Sequence, residues 1–171
     1  MRYAEIERCE ICNGNDVGIS LFVQGCPIHC KGCFNQSTWD FSGGKPWTPE
    51  VEQQFLDLAD KPYIKRISIL GGEPLARDGN IEESNYITVI KLIEKIRARF
   101  GKAKEIWVYT GYNIRDGEQG LLLLWMIDAD YVVDGQYDET KRDITLKFRG
   151  STNQRIIDLH ESLKQQKVVT V

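Results

Sequence analysis

The sequence predicts an α/β fold built on a mostly parallel sheet, and two observations support this class. Strand-like and helix-like segments alternate along the 171 residues, which is typical of βαβ units. Turns that contain glycine follow the predicted strands, at Gly25, Gly71, Gly72, Gly111 and Gly135. Ligands of parallel α/β folds bind at the carboxyl ends of the strands, so we expect the chemically active residues to meet at one rim.

The first half of the chain contains two predicted strands and one helix. Residues 19–23 form an apolar, β-branched run that predicts the first strand. Thr48 and Pro49 are typical of the N-cap and first position of a helix, whose apolar face would contain Val51, Phe55, Leu58 and Ala59. Residues 66–70 predict the second strand, which ends in a Gly-Gly-Glu-Pro turn.

The second half continues the alternation. A long helix is predicted over residues 84–100, with apolar residues at helical spacing and Gly101 as the stop signal. Residues 105–110 and 131–133 predict strands, separated by a helix over 118–127. We further expect residues 143–148 to be extended and residues 154–165 to be helical with a break. No internal repeat or linker interrupts the chain, so we expect one domain over residues 1–171, with an N-terminal extension of about residues 1–13.

Composition excludes several classes of partner. Apolar residues make up 42% and charged residues 27%, as in globular proteins, and the net charge of −3 calls for no nucleic acid and no membrane. Residues 1–8 lack an apolar signal core, and the longest apolar run, residues 121–127, is too short to span a membrane. We therefore expect a cytoplasmic protein, in which the five cysteines serve as ligands more readily than as disulfides.

The most informative motif is Cys26, Cys30 and Cys33, with three and then two residues between them. Thiolates this close can surround one metal centre, but three cannot complete the four-cysteine set of an ordinary iron–sulfur site. A cluster held by three cysteines keeps one iron open for a substrate. The spacing therefore indicates a reactive cluster rather than an electron-transfer cluster.

A structural zinc site is the alternative. His29 lies between two cysteines, where closing a tetrahedron would strain the loop, whereas Cys9 and Cys12 paired with Cys30 and Cys33 would imitate a zinc ribbon. The ribbon leaves the first cysteine of the motif unexplained. For Cys9 and Cys12 themselves we favour buried or incidental thiols over a second metal site or a redox-active pair.

The cysteine motif resembles the cluster signature of the radical S-adenosylmethionine enzymes, and the turn at residues 71–74 resembles their methionine-binding turn. Residues 33–39, 108–112, 133–137 and 149–155, in this order, resemble the activating proteins of anaerobic ribonucleoside-triphosphate reductases. The resemblance covers nearly the whole chain, from about residue 14 to residue 159. For any one of these segments, a structural role explains the residues about as well as a functional role does. The match is specific because all the segments occur in the same order as in the family.

The resemblance implies a site. It assigns a [4Fe–4S] cluster to Cys26, Cys30 and Cys33, with S-adenosylmethionine on the open iron. It assigns contacts with S-adenosylmethionine to Gly32, Cys33, Phe34, Gly71, Gly72, Glu73, Pro74, Thr110 and Asp134. Within this set, the backbone of Gly32 and the ring of Phe34 are expected at the adenine, and backbone carbonyls of the turn at the ammonium group.

The resemblance also implies a reaction and partners. Reductive cleavage of S-adenosylmethionine would give a 5′-deoxyadenosyl radical, which would form a glycyl radical on the catalytic subunit of the reductase. A small flavodoxin or ferredoxin would supply the electron. The fold would be an incomplete (β/α) barrel of the radical-SAM type, with five or six strands and an open rim, because a closed barrel needs about 250 residues. A radical enzyme acting on a small molecule or on another glycyl-radical enzyme, and a zinc-binding interaction module, are the alternatives.

Overall fold

The computed structural model describes all 171 residues, which form seven strands and four α-helices. In chain order these are β1 (Arg2–Glu10), β2 (Gly18–Gln24), β3 (Lys45–Pro46), α1 (Pro49–Ala59), β4 (Arg66–Gly71), α2 (Asn85–Phe100), β5 (Glu105–Thr110), α3 (Glu118–Ile127), β6 (Tyr131–Asp134), β7 (Arg155–Asp158) and α4 (Leu159–Gln165). None of the helices combines the length and apolar character that crossing a membrane requires.

All seven strands belong to one sheet, in the order β3-β1-β2-β4-β5-β6-β7. The four central strands β2, β4, β5 and β6 run parallel, and β1, β3 and β7 are antiparallel additions at the two sides. The expected α/β class with a mostly parallel sheet is confirmed. The sheet is not closed, and its seven strands exceed the five or six that were expected. The loop of residues 11–17 is too short for a crossover, so β1 and β2 pair as a hairpin.

The helices cover one face of the sheet. Alternate strand residues, such as Ile19, Leu21, Ile67, Ile69 and Val108, point into a core of 24 buried residues that includes side chains of all four helices. The parallel strands follow one another in space as they do in the chain, so right-handed crossovers place α1, α2 and α3 on the same side. The first three expected helices are present as α1, α2 and α3, with Thr48 accepting a hydrogen bond from the Val51 amide at 3.4 Å and Gly101 at the end of α2.

The opposite face of the sheet is polar at its amino-terminal end. The Arg66 guanidinium is fully buried there and lies 2.7 Å from the carboxylate of Glu10. The same guanidinium donates hydrogen bonds to the main-chain oxygens of Asn13 and Asn15. The loop between β1 and β2 therefore closes this end of the helix-free face, and the other end stays open.

Two expectations for the last third of the chain are wrong. Residues 143–148 are turns rather than extended chain, because Asp143 accepts hydrogen bonds from the amide and hydroxyl of Thr145, at 2.8 and 2.7 Å. Residues 154–165 are not one broken helix. Arg155–Asp158 form β7, which extends the sheet antiparallel to β6, and only the segment that follows the N-cap Asp158 is helical.

Cys9 and Cys12 are both exposed, so the expectation of buried thiols is wrong, whereas that of incidental thiols stays a prediction. They lie beside the start of β2, since Glu10 pairs with Gly18, whereas the cysteine motif follows the end of that strand. At about 3.3 Å per residue, the two sets of cysteines are about 20 Å apart along β2. A zinc ribbon built from both sets within one chain is therefore wrong.

Candidate functional site

A cleft with an empty volume of about 640 Å³ lies where the parallel strands end. The loop after β2 contributes the three motif cysteines, the turn after β4 contributes Gly71 to Glu73, and the ends of β5 and β6 contribute Thr110, Gly111 and Gly135. Four strand ends therefore meet at one site, as in other parallel α/β proteins that bind ligands.

Main-chain hydrogen bonds fix the cysteine loop. The amides of Gly25 and Cys26 donate to the carbonyls of Thr38 and Trp39, at 2.7 and 3.0 Å. The ring of His29 stacks on Trp39 with 4.6 Å between centroids, so this histidine is part of the loop packing. The loop therefore has a defined conformation through contacts within the chain.

Main-chain amides influence the three cysteine thiols. All three are free and half-buried. The Asn35 amide donates to the sulfur of Cys33 at 3.4 Å. The main-chain amides of Ile28 and His29 act to lower the pKa of the Cys26 thiol, and that of Tyr137 acts to lower the pKa of Cys30. Such N–H donors stabilise metal-bound thiolates and tune the potential of iron–sulfur clusters.

Burial raises the pKa of the Cys26 and Cys30 thiols above the ordinary value, although the amides partly oppose this. Loading a metal centre must therefore release protons. No group of three or more His, Cys, Asp or Glu side chains is arranged around a single-ion site. A cubane, in which each thiolate binds its own iron, needs the sulfurs further apart than one ion does. The three free, half-buried thiols of this one loop supply the three cysteine ligands that such a cluster needs.

The glycine turn packs against the cysteine loop, backbone to backbone. The Glu73 amide donates to the Gly25 carbonyl at 2.8 Å, and the Gly72 amide donates to the Val23 carbonyl at 2.9 Å. A Cβ atom added at Gly72 would lie 2.4 Å from the Gly25 oxygen. Only glycine permits this approach, so the turn and the loop form one unit.

Glu73 links the ends of two strands. Its buried carboxyl group accepts hydrogen bonds from the Thr110 hydroxyl at 2.8 Å, the Gly111 amide at 2.7 Å and the Leu75 amide at 2.9 Å. Burial nevertheless raises the pKa of Glu73 to about 7, because desolvation outweighs the three donors. Both Glu73 and Thr110 line the cleft.

Four of the expected site residues lie outside the cleft lining, namely Gly32, Phe34, Pro74 and Asp134. The Phe34 side chain is exposed and packs on the ring of Tyr137, with 5.5 Å between centroids. Asp134 is fully buried, and its carboxylate accepts hydrogen bonds from Arg155 and from the Ile114 amide. Asp134 therefore connects the end of β6 to the loop after β5 and to the start of β7.

Several residues that line the cleft belong to the sequence motifs but were not among the expected site residues, among them Tyr109, Tyr137 and Gln154. The Tyr109 hydroxyl is buried without a hydrogen-bond partner, on the helix-free face that its alternation with Val108 indicates. Gln154 donates to the Gly135 carbonyl at 3.0 Å and accepts from the Gly150 amide at 2.9 Å. Its position depends on β7, which the sequence pattern did not reveal.

The open α/β sheet and the three-cysteine cleft at its carboxyl edge define a single-cluster iron–sulfur protein. A family model described as "4Fe-4S single cluster domain" matches residues 12–157. Similar curated proteins are the anaerobic ribonucleoside-triphosphate reductase-activating proteins of Escherichia coli K12 (36% identical over 157 residues, 90% of this chain and 96% of the relative), Vibrio cholerae (35% over 160 residues, 91% and 97%) and Enterobacteria phage T4 (35% over 156 residues, 91% and 93%). The chain belongs to the family of anaerobic ribonucleoside-triphosphate reductase-activating proteins.

Proposed function

We propose that this chain activates an anaerobic ribonucleoside-triphosphate reductase, as its relatives are named to do. The observation that carries the proposal is the joining of three free thiols and a Gly-Gly-Glu turn in one open cleft. A closed electron-transfer site would need a fourth thiol, and the nearest other cysteines lie at the opposite end of β2.

Cys26, Cys30 and Cys33 would hold a [4Fe–4S] cluster, and the iron without a cysteine would take S-adenosylmethionine. When bound, this pair would supply a reductive cleavage of the sulfonium, in which one electron from a donor protein gives methionine and a 5′-deoxyadenosyl radical that would take a hydrogen atom from a glycine of the reductase. The residues of the chain bind and orient the two groups.

The residues expected to contact S-adenosylmethionine are proposed at different parts of that molecule. The half-exposed backbone of Gly71 and Gly72 faces the cleft and suits the ammonium group of S-adenosylmethionine. Glu73 and Thr110 hold that turn against β5, with Pro74 directly behind it. Gly32 and Phe34, next to Cys33, are proposed at the adenine, although the ring must swing inward from its exposed position.

Asp134 is proposed as a positioning residue that acts through Arg155. The bidentate pair fixes the end of β6, from which Gly135 enters the cleft. Apolar side chains of Ile28, Leu70 and Val133 line the same cleft and give it a partly apolar wall.

The partners follow from the reaction. We propose a flavodoxin or ferredoxin as the electron donor and the cytoplasm as the compartment, since five free cysteines fit reducing conditions. Residues 1–171 would act as a single domain, in which the expected N-terminal extension provides β1.

Electron paramagnetic resonance on an anaerobic mixture tests the proposal. The mixture contains the reconstituted chain, reductant, S-adenosylmethionine and the reductase catalytic subunit from the same source. We expect a glycyl-radical doublet that disappears when S-adenosylmethionine is left out. A reduced-cluster signal that S-adenosylmethionine perturbs, without a glycyl radical, would contradict the proposed target and favour a small molecule or another glycyl-radical enzyme. The absence of any cluster signal after reconstitution would contradict the cofactor.

A further inference from the structure

A second depression, which we call the amide groove, opens beside the cysteine cleft and has an empty volume of about 840 Å³. Its only apolar lining residue is Tyr137, and three of its side chains are the carboxamides of Asn113, Gln136 and Asn153. These residues belong to the loops that follow β5 and β6 and to the loop before β7. The proposed cluster chemistry gives none of them a role.

The groove and the cleft are continuous. Tyr137 lines both, and Gly135 at the end of β6 lines the cleft one residue before Gln136 enters the groove. The cleft that Tyr137 shares with the groove is also lined by Cys30 and Cys33, so the groove leads to the proposed cluster ligands. A chain that lies in the groove therefore reaches the site of chemistry.

The three carboxamides differ in whether they form hydrogen bonds within the chain. Asn153 donates to the Gln136 carbonyl at 2.8 Å and so fixes the groove wall. The side chains of Asn113 and Gln136 are exposed and make no hydrogen bond within the chain. Each offers a donor and an acceptor together, which is the combination that a peptide unit presents.

The charges of the groove do not favour an anion. Lys31 lies 3.5 Å from Glu139, and Asp138 lies 3.1 Å from Lys141, so the ionic side chains are paired. A phosphate or carboxylate would find no free cation here. A neutral polypeptide main chain suits the groove better.

We propose that the amide groove binds the main chain of the reductase segment that carries the reactive glycine, with Asn113 and Gln136 as its specificity residues. This inference rests on the proposed function. Recognition through the main chain suits a target whose reacting residue has no side chain to recognise. The two carboxamides would hydrogen-bond peptide units next to the glycine and hold its Cα in the cleft.

The test compares variants of the reconstituted chain at a series of reductase concentrations, with glycyl-radical formation followed by paramagnetic resonance. Release of methionine without reductase, measured on the same preparations, normalises for active cluster. For Asn113→Ala combined with Gln136→Ala we expect the KM for reductase to rise roughly tenfold or more, with kcat within about twofold. The matched control is Gln54→Ala, which removes an exposed carboxamide from α1 and should keep the wild-type KM.

A second double variant separates hydrogen bonding from shape. Asn113→Leu with Gln136→Leu keeps side-chain volume but removes the donors and acceptors, so we expect the same rise in KM. A wild-type KM in either double variant would overturn the inference while leaving the proposed function intact. If wild-type protein cleaves S-adenosylmethionine but forms no glycyl radical, the proposed function fails and the inference fails with it.

Discussion

Arg66 and Glu10 form an ion pair inside the protein, with 2.7 Å between guanidinium nitrogen and carboxylate oxygen and side-chain exposures of 0% and 7%. Glu10 also accepts hydrogen bonds from the Asn13 amide at 3.0 Å and the Ser20 hydroxyl at 2.5 Å. The pair therefore fastens the β1–β2 loop across the end of the sheet opposite the cleft.

Arg66→Met should destabilise the protein by about 3–5 kcal/mol, because it leaves the Glu10 carboxylate buried without its partner. The double variant Arg66→Met with Glu10→Gln should recover part of this loss, since no charge then remains buried. Urea unfolding of the cluster-free chain under reducing conditions measures both values. Equal stabilities for the single variant and wild type would show that water reaches Glu10.

Replacement of Cys26, Cys30 or Cys33 by alanine should abolish cleavage of S-adenosylmethionine and lower the iron bound after reconstitution. Each thiolate is needed for one iron of the cluster, and the chain places no other cysteine nearby. Chromatography of methionine and 5′-deoxyadenosine, with iron analysis, provides the measurement.

The control for the cysteine variants is Cys9→Ala and Cys12→Ala, which should keep cleavage at the wild-type rate because both thiols are exposed at the far end of β2. Full activity in Cys26→Ala with a normal iron content would contradict the ligand assignment. Loss of activity in folded Cys9→Ala would place the exposed pair in the reaction.

Gly72→Ala should reduce cleavage of S-adenosylmethionine at least tenfold and lower stability by about 1–3 kcal/mol. The added Cβ would lie 2.4 Å from the Gly25 carbonyl oxygen and push the turn away from the cysteine loop. Thermal unfolding and methionine release measure the two effects. Gly79→Ala is the matched control, because its Cβ would meet nothing within 4 Å and only its φ of +67° adds strain. Similar activity losses in both variants would show that the close approach is unimportant.

The stability of the cluster-free chain should fall as pH rises from about 5 to 8. Desolvation raises the pKa of Glu73 to about 7 in the folded state, above its ordinary value of 4.5, so the folded chain binds more protons than the unfolded chain in this window. The contribution is fully present below pH 4.5 and amounts to at most about 3 kcal/mol.

Glu73→Gln removes this titration, so its stability should depend less steeply on pH over the same range. Urea midpoints at four pH values give the comparison. A slope unchanged by the substitution would assign the pH dependence to other groups.

The central elements were predictable because each contains its own signal. The helix over residues 118–127 and the strand over 105–110 match α3 and β5, since continuous apolar runs and glycine punctuation mark their ends. The antiparallel strands β1 and β7 were missed. Their residues are largely half-exposed or exposed, and their pairing partners, such as Gln24 for Arg2 and Asp134 for Arg155, lie far away in sequence.

The site also contains parts that local sequence motifs predict and parts that depend on contacts between distant segments. The cysteine spacing and the Gly71–Gly72 turn are local motifs, so the sequence located them directly. Gln154 enters the cleft because β7 brings the residue 149–155 segment against Gly135, which no local pattern describes. The amide groove likewise depends on three loops that meet only in the folded chain.

The backbone contacts between the cysteine loop and the Gly71–Gly72 turn have a consequence for tolerance of oxygen. Because main-chain hydrogen bonds within the protein hold the loop, we expect the loop to keep most of its conformation without iron, unlike small domains that are organised by their metal. Oxygen that destroys the cluster would then leave a folded cysteine loop without a cluster, not an unfolded chain. We therefore expect the same molecule to take up a new cluster when iron and sulfide are supplied again under anaerobic conditions.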